Sequence, residues 1–259
     1  MPVTSQDELG QLTATFNQMS ADLVLADQRR KRLTADITHD LSTPLQVISG
    51  YIEMLEEGAV TLTPQRLETI KTEIGHLRRL VGNLSMLTQA ESNGLDIQLQ
   101  PVEPRALMER IYHSYQPIAD RQGVKLSLEL PEGSPNILID EGRMLQVLKN
   151  LVDNALRYTS GKGEIKLGVE VGEQVNLKVS DNEAGIDAED LPYVFDRFFQ
   201  ANKARGLNSG KMGLGLAICQ ALVNAQGGVI SAESAGKGQG TTIVIRFDPA
   251  PVQDVTDSK

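Results

Sequence analysis

The first 90 residues carry apolar side chains at alternating steps of three and four, and this spacing limits the fold more than any other feature. It predicts two long helices with narrow apolar seams. Gly58 and the Thr63-Pro64 pair interrupt the spacing and predict the end of the first helix and the start of the second. The seam residues are Leu9, Leu12, Phe16, Met19, Leu23, Ala26, Leu33, Ile37, Leu41, Leu45, Ile48, Ile52 and Leu55, then Leu67, Ile70, Ile74, Leu77, Val81 and Leu84.

An α-helical hairpin of this kind cannot bury its two seams alone. Two copies that pair into a four-helix bundle would cover the seams, because each hairpin supplies two of the four helices. We therefore expect a homodimer.

After Asn93-Gly94 the pattern changes to short stretches of alternating polarity between helices. The strand-like stretches are VKLSLEL, EIKLGVEV, QVNLKVSD, GGVISAES and TTIVIRF, and helices are expected near 104–121, 140–159 and 213–226. Strands packed under helices predict an α/β two-layer domain. The polar residues 249–259 predict a disordered tail.

The composition limits the classes of partner and the kinds of site that this chain can have. A formal net charge of −9 argues against nucleic acid as a partner, since sequence-independent binding needs a basic surface. Cys219 is the single cysteine, which excludes an internal disulfide and a thiolate metal cluster. The sequence contains no apolar run of about 20 residues and nothing like a signal peptide. We expect a soluble fragment that suits a reducing compartment.

The stretch ITHDLSTPL places His39 about 200° around the helix from the seam residue Ile37, so the imidazole is expected to face solvent. Asp40 is its neighbour, and Thr43 shares its face. Pro44 cannot donate to the carbonyl of Asp40 and predicts a bend. By itself this pattern also fits an ordinary surface histidine. His76 and His113 have no such neighbours and are interpreted as structural.

The stretch QVLKNLVDNALRYT places Asn150, Asn154 and Arg157 on the helix side opposite its apolar stripe. Carboxamide oxygens one turn apart suit Mg²⁺, which keeps water ligands and binds substrate phosphates. The guanidinium group would contact phosphate oxygens. An ordinary amphipathic helix with polar asparagines fits the pattern equally well.

Two further motifs indicate a nucleotide. In SDNEAGI, Asp181 ends a strand and Gly185 allows a turn, so a carboxylate could accept from an amino group such as that of adenine. In GKMGLGLAI, Gly210, Gly213 and Gly215 precede a helix whose free N–H groups attract phosphate. Neither the Rossmann nor the P-loop spacing is met. The polar stretch between the motifs, VFDRFFQANKARGLNSG, predicts a mobile lid.

These motifs resemble, in order and spacing, the sensor histidine kinases of two-component systems, over about residues 28–248. The shared elements include the aromatic segment Phe195–Phe199 and the GLGLAI glycines, and residues 5–25 resemble the second helix of a HAMP signalling linker. The resemblance implies a partial HAMP-like helix (1–27), a dimerisation and histidine phosphotransfer domain (28–95), and a catalytic ATP-binding domain of the gyrase type (96–248). It also implies the cytoplasmic portion of a receptor anchored in the inner membrane.

The same resemblance implies the roles of individual residues. His39 would accept the γ-phosphoryl group of ATP and pass it to an aspartate of a response regulator, with Asp40 orienting the imidazole. Thr43 would mark a kinase that also dephosphorylates its regulator, and Arg197 would approach the phosphates or the histidine. The implied nucleotide site comprises Asn150 and Asn154 for Mg²⁺, Arg157 for phosphate, Tyr158 for packing beside adenine, Asp181 for the adenine amino group, Gly185 for its turn, and Gly213 and Gly215 for the phosphates.

Some residues depart from the family pattern: Ser42, Glu183, Ala184 and the pair Lys211-Met212. We expect the bulkier Glu183 and Met212 to slow nucleotide exchange or alter lid closure. Two alternatives remain. One is a gyrase- or mismatch-repair-like ATPase, and the other is a non-catalytic dimeric scaffold that binds nucleotide.

Overall fold

The computed structural model describes residues 8–92, 94–200 and 213–251. The chain divides into two compact units, Met1–Val81 and Gly82–Lys259. The first is helical, and the second combines helices with strands.

Two long helices occupy the first part of the chain. Helix α1 runs over Glu8–Glu56 and helix α2 over Pro64–Glu91. Gly58 has a φ of 67° just after α1, and the Thr63 hydroxyl accepts the N–H of Arg66 at 3.3 Å where α2 begins. The predicted helix break is therefore confirmed, with a glycine stop and a threonine cap before proline. One helix also covers both the expected HAMP-like segment and the start of the phosphotransfer domain.

The predicted seam alternates in exposure from residue 41 onward. One set of seam residues, spaced by seven within each helix, is exposed: Leu45, Ile52, Leu67, Ile74 and Val81. The seam residues between them are half-buried: Leu41, Ile48, Leu55, Ile70, Leu77 and Leu84. Nearer the start of α1, the seam residues Leu12, Phe16 and Met19 are all exposed. In the described residues, each seam therefore presents apolar surface, as expected of helices that pack further in an assembly.

The described elements of the second unit follow α2 in this chain order: β1 (Gln100–Val102), α3 (Pro104–Gln122), β2 (Lys125–Glu129), β3 (Ile137–Ile139), α4 (Glu141–Tyr158), β4 (Glu164–Val171), β5 (Val175–Asp181), a 3₁₀ turn (Leu191–Tyr193), α5 (Gly215–Ala225), β6 (Val229–Glu233) and β7 (Thr241–Phe247). Five of the strands form one sheet in the order β2-β4-β5-β7-β6. In this sheet β2 and β4 pair in parallel, and the other neighbours pair antiparallel.

The core lies between this sheet and its helices. Alternate residues of β4 are buried from Ile165 through Leu167 to Val169, which means that one sheet face is covered. Helix α4 supplies the opposing apolar stripe, in which Leu148 and Val152 are fully buried. The predicted α/β two-layer domain after a helical hairpin is confirmed, while the pairing of two hairpins stays a prediction.

Two short strands were not predicted. Strands β1 and β3 have three residues each and pair antiparallel, with Gln100 opposite Ile139. Three residues are too few to show a period of two. Pro249 forms an antiparallel bridge with Ile137, and the N–H of Ala250 donates to Asn136. The expectation of a disordered tail from Pro249 onward is therefore corrected for these two residues, and residues 252–259 lie outside the described part.

No helix within the described residues combines the length and the apolar character needed to cross a membrane.

Candidate functional site

The His39 side chain is 81% exposed on α1, as the helical geometry predicts. Its Nδ1 atom lies 3.1 Å from Oδ1 of the half-buried Asp40. A neutral imidazole that donates from Nδ1 to a carboxylate keeps its lone pair on Nε2. The pair therefore presents a nucleophilic nitrogen to solvent, with its tautomer set by the adjacent residue.

The turns around His39 contain hydroxyl groups that bond to the helix backbone. Thr38 donates to Thr34, Ser42 to Thr38 and Thr43 to His39, at 2.8, 2.7 and 3.2 Å, each to the carbonyl four residues earlier. Such bonds weaken and bend helices slightly. Helix α1 continues through Pro44, whose side chain is buried, so the predicted bend stays a prediction.

On α4, the face predicted to hold a cation lies beside α5. Asn150, Asn154 and Arg157 are all half-buried. Burial raises the pKa of the Cys219 thiol on α5 to about 12, and the nearby Asn150 side chain opposes this rise. The thiol donates to the carbonyl of Val147 on α4 at 3.7 Å. The Asn150 side chain therefore lies near α5.

The donor set near this face fits Mg²⁺ better than a transition metal. Within the described ranges, no three His, Cys, Asp or Glu side chains are grouped so that they could hold a metal ion. Mg²⁺ does not need such a cage, because it binds through few protein oxygens together with water and substrate phosphates.

The two predicted phosphate-side glycines have different structural roles. Gly213 has a φ of +65°, its carbonyl accepts the N–H of Phe198 at 3.0 Å, and an added Cβ would lie 2.6 Å from the Phe199 oxygen. Gly213, just after the segment predicted as a lid, is therefore bonded to Phe198 near the start of that segment. Gly215 opens α5, is exposed, and has nothing within 4 Å of an added Cβ. Its helix end offers N–H groups to an anion.

Most of the predicted lid, with Gly210, Lys211 and Met212, lies outside the described residues. Before it, Arg197 is half-buried, and the rings of Tyr193 and Phe199 lie 6.2 Å apart.

The loop after β5, Asp181–Gly185, is held tightly. Oδ1 of Asp181 accepts the N–H of Glu183 at 3.2 Å. Burial raises the pKa of Asp181, and backbone N–H groups oppose this rise. Gly185 has a φ of +62°, and an added Cβ would overlap the carbonyl oxygen of Gly236. The N–H of Gly238 donates to the carbonyl of Ala184 at 2.8 Å. The predicted turn at Gly185 is thus held in place by a second turn, which contains Gly236 and Gly238.

At the end of α4, the Arg157 guanidinium lies 5.6 Å from the centroid of the exposed Tyr158 ring. Tyr115 of α3 donates to Asp153 of α4 at 2.9 Å, and burial followed by the nearby carboxylate raises the pKa of this phenol. Helix α3 therefore supports the helix that carries half of the predicted nucleotide residues.

Helix α4 is the shared wall of the candidate nucleotide site. Asn150 contacts Cys219, one turn after Gly215, and Tyr158 lies next to the segment that bonds to the Asp181 loop. Eight residues separate Asn150 from Tyr158, which is about 12 Å along a helix. The site is therefore elongated, with a carboxylate near one end and a helix N-terminus near the other. His39, Asp40 and Thr43 belong to the other unit.

Family models match three consecutive parts of the chain. Residues 1–24 match the HAMP domain, residues 29–93 the His Kinase A (phospho-acceptor) domain, and residues 139–251 the Histidine kinase-, DNA gyrase B-, and HSP90-like ATPase domain. The signal transduction histidine-protein kinase BaeS of Escherichia coli (strain K12) is 34% identical over 247 residues, which cover 95% of this chain and 53% of BaeS. The chain belongs to the sensor histidine kinases.

The kinase spans between about a third and a half of the length of the curated relatives it matches. Among solved structures, the Acinetobacter baumannii histidine kinase AdeS has the same fold, with a TM-score of 0.68 and 24% identity over 82% of this chain and 98% of AdeS. Full-length ShkA in complex with AMPPNP gives a TM-score of 0.62 and 26% identity, covering 83% of this chain and 46% of ShkA.

Some contacts of this kinase's site were missed from the sequence. Ser160 bonds to Glu183, Asn182 bonds to Glu164, and Cys219 contacts Asn150. The departure at Glu183 is a sequence signal for one of these contacts, since its carboxylate accepts two bonds from Ser160. The expected slowing of nucleotide exchange or altered lid closure stays a prediction.

Proposed function

We propose that this kinase transfers the γ-phosphoryl group of ATP to His39. The observation that supports this most directly is the exposed imidazole with Asp40 on its Nδ1 side, within a phospho-acceptor domain. Nε2 attacks the γ-phosphorus, the bond to the bridging oxygen breaks, and ADP leaves. Asp40 stabilises the positive charge that develops on the ring, because it accepts from Nδ1–H.

The phosphoryl group then passes to an aspartate of a response regulator. A carboxylate oxygen of the regulator attacks the phosphorus, the P–N bond breaks, and His39 returns to neutral imidazole. The high exposure of His39 supports this step, since a second protein must reach the same nitrogen that ATP reached. Asp40 can act in both steps by holding the Nδ1 proton.

ATP is proposed to lie along α4. Asp181 accepts from the adenine amino group, Tyr158 packs beside the base, and the first turn of α5 at Gly215 receives the phosphates, with Arg157 and Arg197 as cationic contacts. The ATPase family match and the AMPPNP complex of ShkA support this assignment, since AMPPNP is an analogue of ATP. The turn at Gly185 keeps Asp181 in place, and Gly213 lies just after the end of the lid segment.

Mg²⁺ would be held by the carboxamide oxygens of Asn150 and Asn154 together with phosphate oxygens. The ion would neutralise charge on the transferred phosphoryl group. The half-buried positions of Asn150 and Asn154, one turn apart on α4, support this.

The domain assignment follows the motifs: a HAMP-like helix in 1–27, a phosphotransfer domain in 28–95, and a catalytic domain in 96–248. The exposed seam residues, spaced by seven, support a homodimer built on the hairpins. The HAMP match and the longer relatives support a larger membrane-anchored receptor, with these domains on its cytoplasmic side.

A phosphorylation assay separates this proposal from the gyrase-like ATPase and the non-catalytic scaffold. With γ-labelled ATP, we expect acid-labile, base-stable label on the protein, and we expect His39→Gln to abolish it while ATP binding persists. Label that survives in His39→Gln would contradict the assignment. ATP hydrolysis without labelled protein favours the ATPase, and nucleotide binding without either favours the scaffold.

A second activity, dephosphorylation of the regulator, is supported by Thr43. Its hydroxyl donates to the carbonyl of His39 at 3.2 Å, which leaves the oxygen lone pairs for a water molecule on the His39 face. Such a water could attack the regulator's phosphoaspartate in line, and this would give inorganic phosphate and free carboxylate.

A further inference from the structure

The side chain of Glu183 joins two segments of the α/β unit that are separate in sequence. Oε2 accepts the backbone N–H of Ser160 at 2.6 Å, and Oε1 accepts the Ser160 hydroxyl at 2.8 Å. Ser160 lies two residues after Tyr158, the last residue of α4. The loop that follows β5 is therefore bonded to the end of the helix that carries half of the proposed nucleotide residues.

The backbone of Glu183 contacts the other side of the proposed adenine pocket. Its N–H donates to Oδ1 of Asp181 at 3.2 Å. One residue thus bonds to Asp181 through its main chain and to Ser160 through its side chain. Glu183 is one of two residues whose backbone N–H groups bond to the Asp181 carboxylate, the other being Thr241. The bonds from Glu183 to Ser160 therefore help to set the direction of this carboxylate.

The surrounding residues leave space for this arrangement and reinforce it. Asn182 accepts the N–H of Glu164 at 2.8 Å, which ties the same loop to the start of β4. An added Cβ at Gly163 would lie 3.0 Å from Oε1 of Glu183, so the glycine leaves room for the carboxylate. The Glu183 side chain therefore has a defined place between two loops.

Resting on the function proposed above, we propose that Glu183 is a positioning residue that orients Asp181 against the end of α4 and thereby sets selectivity for adenine over guanine. Adenine presents an amino donor at position 6, whereas guanine presents a carbonyl acceptor there. A fixed carboxylate attracts the first and repels the second. A carboxylate that is free to turn away discriminates less between them.

The bonds from Glu183 to Ser160 are partly open to solvent, so water can replace them when the carboxylate is removed. The expected effect is therefore a moderate loss of selectivity in a folded protein. Glu183→Gly removes both bonds. Glu183→Gln keeps one acceptor oxygen and should give an intermediate result.

The test is equilibrium binding of ATP and of GTP, each with Mg²⁺, to the full chain. We expect Glu183→Gly to weaken ATP binding by about fivefold to tenfold and to leave GTP binding level or stronger, so that the ratio of the two affinities falls. The matched control is Glu173→Gln. It changes an exposed carboxylate in the turn between β4 and β5, at the end of β5 far from Asp181, and should leave both affinities unchanged.

Different results overturn different statements. Unchanged ATP and GTP affinities in Glu183→Gly would refute the positioning role alone. A parallel loss of both affinities with a lower unfolding temperature would refute it too, because that pattern belongs to a purely structural residue. Failure of the unsubstituted chain to bind ATP would refute the proposed function as well.

Discussion

The helical unit and the α/β unit hold their chemical groups in opposite ways. His39 is exposed, and the side chain bonded to it belongs to the next residue, Asp40. Asp181 is half-buried, and its loop is bonded to Ser160, which is 23 residues from Glu183 in sequence. One unit presents a group on a continuous helix, and the other assembles a pocket from separate segments.

The apolar residues show the same difference. The hairpin leaves seam residues such as Ile52 and Ile74 exposed, whereas Leu148, Leu167 and Leu177 of the α/β unit are fully buried. The α/β unit therefore has its own closed core, and the hairpin gains more from a partner. We expect substitutions to act locally in the hairpin and to spread through contacts in the α/β unit.

The largest effect should come from glycine positions, which test this contrast directly. Gly185 and Gly58 have nearly the same φ, 62° and 67°, but an added Cβ overlaps Gly236 at the first and meets nothing within 4 Å at the second. We expect Gly185→Ala to lower the free energy of unfolding by about 2–4 kcal/mol, from the φ penalty and the overlap together. Gly58→Ala carries only the φ penalty and should cost about 1–2 kcal/mol.

Chemical denaturation of the two variants measures this difference. Nucleotide binding should decline in Gly185→Ala and persist in Gly58→Ala, because only Gly185 supports the Asp181 loop. Equal losses of stability at the two positions would show that the backbone around Gly185 shifts to accommodate the added Cβ at little cost in free energy.

The fold was largely predictable where the residue pattern is local and long. The stretches EIKLGVEV and TTIVIRF coincide with β4 and β7, because the first alternates with a period of two and the second is rich in β-branched residues. The helix break at Gly58 and Thr63-Pro64 was predictable for the same reason. Strands β1 and β3 were not, since each has three residues, too few to show a period of two.

The candidate site likewise has parts that could be predicted from the sequence and parts that could not. The exposure of His39 follows from helical geometry within a few residues, and its contact with Asp40 was expected from the family resemblance. The bonds from Glu183 to Ser160 and the proximity of Asn150 to Cys219 depend on how separate elements pack. No spacing rule in the sequence relates those positions. Gly213 and Gly215 also look alike in sequence, yet Gly213 lies at the base of a loop and Gly215 is the first residue of a helix.

A smaller effect is expected from Asn154→Ala on α4. It removes a carboxamide oxygen that water cannot orient equally well, so we expect Mg²⁺-dependent ATP affinity to fall by about tenfold. The affinity in the presence of EDTA should not change. Asn224→Ala, at the exposed far end of α5, is the matched control. If the affinity with Mg²⁺ is unchanged in Asn154→Ala, the asparagine face is merely solvated.

The helical unit offers a change confined to one activity. We expect Thr43→Ala to keep autophosphorylation and transfer to the regulator but to slow regulator dephosphorylation by about tenfold, because only hydrolysis needs an oriented water. Decay of purified phospho-regulator with each variant and ADP measures this. Thr38→Ala removes a similar hydroxyl-to-carbonyl bond on α1 and serves as the control. Decay at the same rate with both variants would exclude the role of Thr43.

The smallest expected effect is a pH dependence that belongs to the α/β unit. Burial raises the pKa of Asp181, the N–H groups of Glu183 and Thr241 oppose this, and the charge of Glu183 adds to the rise. Adenine needs the ionised carboxylate as acceptor, so on acidification ATP affinity should begin to fall at a higher pH than an ordinary aspartate would cause.

The same raised pKa has the opposite consequence for stability. A carboxyl group whose pKa is higher in the folded protein favours folding below the unfolded pKa, and this contribution is lost as pH rises through the folded pKa. Acidification in this window should therefore weaken ATP binding while the Asp181 contribution to stability grows. We expect Asp181→Asn to remove both trends, measured by ATP titration and by denaturation at each pH. If ATP affinity in Asp181→Asn keeps the pH profile of the unsubstituted chain, another group controls the response and Asp181 is not the adenine acceptor.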